Sequence, residues 1–264
     1  MSENKFKFPT EVVELPSKGL PYPESSPLSS GKIEMKYMSA REEDILTNMN
    51  FIRQGVVIDK LLQSMIVSEI DYSELLIGDK NALLIASRIL GYGKDYDFVY
   101  DGESYVIDLS LLDNKSFDES LITEGVNEFT FTLPNSGNLI TFKILTTSDD
   151  KKIDAELAGL KKINKDSSPE LSTRLKYIIT SINGDREIKS IREFVDNSLL
   201  ARDSRALREY IRKVQPDVDL TFTSNSGEEV AIPINLSFFW PDAWNSTTSK
   251  NEFIHSNPWN NISW

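Results

Sequence analysis

Apolar residues recur at intervals of three and four along much of the chain, which is the spacing of one face of an α-helix. Ser39 and Glu42 stand three residues apart before the first such run, a pattern typical of a capping box. Asp79 is expected as the N-cap of the third run, and Gly91 is expected to end it. The predicted helices cover residues 40–54, 57–65, 80–90, 149–163, 169–182, 187–200 and 203–214.

β-Hairpins are indicated where two β-prone runs flank residues that favour turns. The Asp101-Gly102 pair is the best example, since both residues accept the left-handed backbone that a two-residue turn requires. A short strand is also expected at 33–37, where apolar and polar residues alternate. The predicted hairpins cover residues 96–109, 128–145 and 218–236.

These elements predict an α+β fold, in which helical bundle segments are combined with antiparallel β-hairpins. Prolines interleaved with apolar residues near the start predict an extended arm that lies against the body or a partner. The predicted parts are a Pro-rich N-terminal arm at 1–32, a compact body at 33–240 and a loose tail at 241–264. In both 33–112 and 149–240, helices are followed by a hairpin. The body is therefore open to interpretation as a duplicated helix–hairpin unit with a hairpin insert at 127–146.

The composition excludes several classes of protein. The 264 residues carry a net charge of −12, which repels nucleic-acid phosphates and anionic lipid. Without cysteine there is no disulfide, cysteine zinc site, iron–sulfur cluster or cysteine nucleophile. The first residues lack the apolar run of a secretory signal, and no stretch of about 18 apolar residues occurs. We therefore expect a cytoplasmic protein that binds neither nucleic acid nor membrane.

Residues for catalysis or metal binding are not indicated by any pattern. Common nucleotide-binding, serine-hydrolase and zinc-protease motifs are absent, and the single histidine, His255, stands in the predicted tail. The carboxylates at 42–44 fall in the first turn of a helix, where the helix dipole favours negative charge. Asp217 and Asp219 are expected where the chain enters a strand. We predict no catalytic residue, metal or cofactor, and a hydrolase that uses acidic residues stays open as an alternative.

Three arginines form the first candidate for partner binding. Arg205, Arg208 and Arg212 are spaced so that they share one face of a helix, with Arg202 just before them. Such a face in an acidic protein predicts a docking surface for an acidic partner segment. The alternative is a solvated face whose charges are balanced by salt bridges to Asp203, Glu209 or carboxylates elsewhere in the chain.

An aromatic cluster is the second candidate for partner binding. Phe238, Phe239 and Trp240 are consecutive, so on a strand they point to both faces and at least one ring leaves the core. Aromatic side chains are frequent in protein–protein hot spots, which makes the cluster a candidate interface anchor. Packing in the core is the default expectation for such rings, and the interface anchor is the alternative to it.

Several strings of the chain together resemble the baseplate hub assembly proteins of T4-like contractile-tailed bacteriophages. The resemblance spans roughly residues 8–241 and depends on the ordered set, because no single string is catalytic or diagnostic. The strings are FPTEVVELPSKG at 8–19 with Tyr22-Pro23, GKIEMKYMSAREEDIL at 31–46, LLIGDKNA at 75–82, LLARDSRALR at 199–208 and FFWP at 238–241.

The resemblance implies a viral protein, made in the cytoplasm of the infected host, that helps to build the baseplate hub by contacting other hub or tail proteins. It implies a non-enzymatic chaperone or scaffold; a structural subunit retained in the virion baseplate is the alternative. Relatives carry Cys-x-x-Cys pairs in hairpin turns, whereas this chain has no cysteine at 101–104 or 224–227. This departure supports the prediction that no metal is bound. The oligomeric state is not predicted.

Overall fold

The computed structural model describes residues 9–163, 169–234 and 236–239. It confirms the predicted α+β fold class. The helices are α1 (Ala40–Leu46), α2 (Met49–Arg53), α3 (Val57–Met65), α4 (Ile77–Tyr92), α5 (Thr147–Ile163), α6 (Glu170–Ile178), α7 (Ile188–Asn197) and α8 (Ala201–Val214). The strands are β1 (Thr10–Glu14), β2 (Lys32–Lys36), β3 (Asp95–Tyr100), β4 (Glu103–Asp108), β5 (Phe129–Thr132), β6 (Leu139–Phe142), β7 (Ile179–Ile182), β8 (Thr221–Thr223) and β9 (Glu229–Ala231).

The three predicted hairpins are present as the antiparallel pairs β3–β4, β5–β6 and β8–β9. Asp101 and Gly102 both have positive φ angles, 48° and 80°, as a two-residue turn of type I′ requires. The last hairpin is shorter than predicted, since its strands have only three residues each.

A third strand, β7, joins the middle hairpin where the sequence predicts a continued helix. α6 ends at Ile178, and the next residues pair antiparallel with β6. The prediction is wrong here because Ile179 and Ile182 fit both the helical spacing and a short buried strand. The edge of β6 decides between the two, since β7 pairs with backbone groups that β5 leaves free.

The proline-rich segment near the start lies against the body, which is one of the two places expected for it. β1 pairs with β2 over five residues on each strand, and a short 3-10 helix at Pro27–Ser30 precedes the return. Leu15 and Tyr22 are almost fully buried and belong to the main apolar core. The apolar residues between the prolines therefore hold this segment in place. Residues 1–8 of the predicted arm lie outside the described residues.

Helix α4 lies at the centre of the fold and is buried on nearly all sides. It contacts β1, α3 and α5 as well as the segment at 236–239. Its bounds differ from the prediction, because Leu76 is the N-cap and the helix continues to Tyr92 before Gly93 ends it. Asp79 is not the N-cap, since its side chain is turned towards the N-terminal segment and binds groups there.

The first and last hairpins, which suggested an internal duplication, pack against each other. The ring of Phe222 on β8 contacts Phe98 on β3 and Tyr105 on β4, with centroid distances of 5.0 Å in both cases. In the adjoining turns the side-chain amide of Asn225 donates to the carboxylate of Glu103 at 2.6 Å. Aromatic packing and polar contacts therefore join the two hairpins. The duplication itself stays a prediction.

In the part of the chain that the structure describes, no helix combines the length and the apolar character needed to cross a membrane.

Candidate functional site

The candidate site is the outward face of α8, which carries the arginines predicted to bind a partner. The opposite face of this helix is buried, with Leu207, Ile211 and Val214 in the core. The ring of Tyr210 stacks on Phe131 of β5 at 4.8 Å and ties the helix to the middle sheet. α8 is therefore a fixed support, and the 3.6-residue period directs its arginines away from the core.

Asp203, one of the two nearby carboxylates that could balance the arginines, does not contact them. Asp203 is fully buried and faces the β5–β6 turn, where it accepts hydrogen bonds from the backbone N–H groups of Asn135 and Ser136 at 2.8 and 3.0 Å. The side-chain amide of Asn135 donates to the same carboxylate at 2.8 Å. Asp203 thus holds α8 to the sheet and contributes nothing to the outward face.

One ion pair is present on this face. The Nε atom of Arg205 donates to the carboxylate of Glu209 at 2.9 Å, four residues along the helix. Arg202, Arg208 and Arg212 have no carboxylate within 4.0 Å among the residues described by the structure. The alternative of a face balanced by salt bridges therefore holds for Arg205 alone, and three guanidinium groups remain available to a partner.

The described rings of the aromatic cluster pack in the core, as expected by default, and do not serve as an interface anchor. Phe238 and Phe239 lie in a 3-10 helix, not on a strand, and both are 0 % exposed. The ring of Phe238 packs edge-on against Tyr96 at 4.8 Å. These two rings anchor the C-terminal segment in the core and offer no surface to a partner. Trp240 lies outside the described residues.

Buried Arg88 explains why the segment at 236–239 is held against α4. Its Nε atom donates to the carbonyl oxygen of Phe238 at 2.7 Å. Its two terminal nitrogens donate to the carbonyl oxygens of Gly93 and Asp95 at 2.7 and 3.0 Å. Burial lowers the pKa of this guanidinium below its usual value. Nothing in the sequence pattern distinguishes this residue from a surface arginine.

The first candidate carboxylate for catalysis, Glu42, has a structural role. Its side chain is fully buried, accepts hydrogen bonds from Lys36 Nζ at 2.8 Å and Ser64 Oγ at 2.6 Å, and completes the predicted capping box with Ser39. Burial acts to raise the pKa of Glu42, but these donors outweigh it and lower the pKa to about 2. Glu42 is therefore ionised at neutral pH and joins α1 to β2 and α3.

A second buried network surrounds the start of α4, and the sequence did not reveal it. The carboxylate of Asp79 accepts hydrogen bonds from Ser17 N, Ser17 Oγ and Tyr22 Oη at 2.9, 2.7 and 2.6 Å. Burial raises the pKa of Asp79 above its ordinary value, against the effect of these donors. Two residues after Asp79 on α4, the side-chain amide of Asn81 donates to the carboxylate of Asp217 at 2.9 Å. The network joins the N-terminal segment, α4 and the segment before β8.

The buried carboxylates of the described residues do not come together to form a metal site. Among the described residues, no group of three histidine or acidic side chains is placed to hold a metal ion. Within the same residues, Thr173 Oγ1 is the buried side-chain polar atom without a partner, so the buried carboxylates are all hydrogen-bonded. Asp217 and Glu42, both named as candidate acids, lie in different networks. The arrangement stabilises contacts between segments.

Four residues of these buried networks lie in the sequence strings 8–19, 31–46, 75–82 and 199–208. Ser17, Glu42, Asp79 and Asp203 each come from one of the strings, and each joins its element to a distant part of the chain. Comparison of the chain with protein-family models, curated proteins and solved structures finds no match.

Proposed function

We propose that this chain is a non-enzymatic assembly factor, a chaperone or scaffold, for the baseplate hub of a contractile-tailed bacteriophage. It acts in the host cytoplasm through contacts with other hub or tail proteins. One observation carries the binding part of this proposal. Arg202, Arg208 and Arg212 of α8 have no carboxylate partner within the described part of the chain, although the chain has a net charge of −12. The identity of the hub as the target rests on the resemblance of the sequence strings.

The arginine face suits capture of an acidic partner for physical reasons. A guanidinium group offers donors in a rigid fork that matches a carboxylate. Charges at the rim of an interface mainly raise the rate of encounter and select the partner. Because the rest of the chain is acidic, a partner with a negative segment is attracted to this face and repelled elsewhere.

The state of the buried carboxylates supports binding over turnover. A catalytic acid or base must reach a substrate, whereas Glu42 and Asp217 are buried and engaged with neighbouring donors. The side chain of Asp219 accepts a hydrogen bond from Thr221 Oγ1 at 2.8 Å, at the entry to β8. No observation favours the hydrolase alternative.

Charge reversal on α8 tests the proposal. The triple variant Arg205→Glu, Arg208→Glu and Arg212→Glu is compared with a control, Arg41→Glu, Arg53→Glu and Lys60→Glu, which makes the same change in net charge at exposed positions on α1–α3. Tagged proteins are used to capture candidate hub proteins co-expressed with each variant. We expect the α8 variant to recover at least tenfold less hub protein than the control, with unchanged far-UV circular dichroism.

Equal recovery by the two variants would refute the arginine face as the docking surface. Mass spectrometry of purified virions separates the transient factor from the retained subunit. Stoichiometric amounts of this chain in the particle would show a structural subunit, and its absence would support release after assembly.

A further inference from the structure

An open groove of about 380 Å³ lies where the start of α6, the end of α7 and the start of α8 meet. Its walls are mainly apolar, with Leu171 and Leu175 from α6 and Val195 from α7. Leu171 keeps 42 % of its surface exposed in spite of its size and apolar character. The volume lies at the lower end of the range for binding pockets and suits a few side chains of a peptide.

The α8 wall of the groove continues directly into the arginine face. Ala201 and Ser204 line the groove, and Arg205 and Arg208 follow them by one helical turn on the same side. The Nε atom of Arg208 donates to the carbonyl oxygen of Ser204 at 3.4 Å, which keeps its stem against the groove wall. Apolar surface and positive charge therefore adjoin along this helix.

Two cations on the helices that form the other walls of the groove are paired. Arg174 pairs with Glu170 on α6 at 3.2 Å, and Lys176 pairs with Asp196 on α7 at 2.7 Å. Arg208 is half-buried and has no carboxylate partner within the described ranges. A partly buried charge is stabilised by an anion beside it, so a partner carboxylate is favoured at this rim.

We propose that this groove binds an amphipathic segment of a partner protein, with large apolar side chains in the groove and carboxylates against Arg208 and Arg212. The inference rests on the proposed function, because it gives the chemistry of the segment that the arginine face captures. Burial of the apolar side chains contributes binding free energy, and the carboxylates set the register of the segment and select the partner. A segment with basic residues in place of the acidic ones is rejected.

A labelled synthetic peptide of about 15 residues tests the groove. In its helical form it carries leucines four positions apart and glutamates on the adjoining face; a second peptide has lysine in place of each glutamate. Binding to the full chain is measured by fluorescence anisotropy at low and physiological salt. We expect the glutamate peptide to bind at least tenfold more tightly than the lysine peptide, with a difference that shrinks as salt is added.

Two variants separate the apolar and the charged contribution. Ala201→Phe fills the groove from an exposed position and keeps every arginine, and Arg208→Ala removes the half-buried charge. We expect each variant to bind the glutamate peptide at least tenfold more weakly than the wild type does. The control Ala155→Phe makes the same change at an exposed position of α5 and should leave binding within twofold.

Unchanged binding in Ala201→Phe would overturn the inference. So would binding that appears only after removal of residues 240–264, which would assign the groove to the chain's own tail, or self-association that the peptide does not displace, which would assign it to a second copy. Capture of hub proteins distinguishes the two proposals. If the arginine reversal abolishes capture of hub proteins and Ala201→Phe does not, the proposed function stands and the proposal that the groove binds the partner is wrong. If the arginine reversal leaves capture intact, the proposed function fails.

Discussion

The hydroxyl group of Tyr22 joins the N-terminal segment to the start of α4, and its removal in Tyr22→Phe measures how firmly that segment is held. The hydroxyl donates to the carboxylate of Asp79 at 2.6 Å and accepts a hydrogen bond from the backbone N–H of Leu76 at 2.9 Å. All three residues are almost fully buried, so water does not replace the lost group. The ring itself is kept by phenylalanine.

The expected cost follows from these two bonds. Loss of the bond to Asp79 costs about 1–3 kcal/mol, and the backbone N–H of Leu76, left without an acceptor, costs about 1–3 kcal/mol more. Part of this is offset because phenylalanine no longer has to bury a hydroxyl group. We therefore expect the free energy of unfolding to fall by about 3 kcal/mol in Tyr22→Phe.

The control is Tyr37→Phe, which removes a hydroxyl group that donates to Glu11 at an exposed position. Surface changes of this kind alter stability by about 0.5 kcal/mol or less. Urea unfolding is followed by far-UV circular dichroism, because the four tryptophans lie at residues 240–264, outside the described core. Hydrogen exchange of residues 15–22 gives a local measure of the same contact.

The reasoning fails if Tyr22→Phe and Tyr37→Phe have equal stability. It also fails if Tyr22→Phe is destabilised while exchange at residues 15–22 stays as slow as in the wild type. Equal stability would mean that the segment is held by its apolar contacts alone, and unchanged exchange would mean that the lost bonds stabilise another part of the fold.

Two further predictions concern Glu42 and the helix glycines. The folded-state pKa of Glu42, about 2, lies below its ordinary value of 4.5, so its contribution is present above pH 4.5 and lost as the pH falls towards 2. Between these pH values the wild type should lose roughly 3 kcal/mol more stability than Glu42→Gln in acid titrations of urea unfolding, and parallel curves would contradict this. Gly78→Ala places a Cβ atom 1.9 Å from the carbonyl oxygen of Pro216 and should destabilise the chain by about 2 kcal/mol or more. Gly159→Ala meets nothing within 4 Å and should stabilise it by about 0.5–1 kcal/mol, so thermal melting that shows equal effects would refute the close approach.

Several predictions from the sequence were correct because their signals are local. The capping box of Ser39 and Glu42 and the turn at Asp101-Gly102 depend on residues close together in the chain, and both are present. The spacing of Arg205, Arg208 and Arg212 places them on one helix face, which follows from the period alone. The fold class follows in the same way from the alternation of helical and hairpin patterns.

Where the sequence was compatible with two structures, contacts with residues far away in the chain decided between them. β7 exists because the edge of β6 was available to residues that fit helix and strand equally well. Phe238 is in the core because Arg88, far away in the chain, binds its carbonyl oxygen. Asp79 and Asp203 resemble helix-start residues in the sequence, yet each binds a segment that only folding brings to it.

The amino-acid sequence by itself thus determined the helices with strong apolar periodicity, the hairpin turns and the shared face of the arginines. The tertiary structure decided which of those arginines are without a carboxylate, because Asp203 turns inward to the β5–β6 turn and leaves the outward face. It also decided that an apolar groove adjoins them, since α6, α7 and α8 meet there. The physical reason is that local propensity acts over a few residues, whereas charge balance and burial depend on neighbours that are remote in the chain.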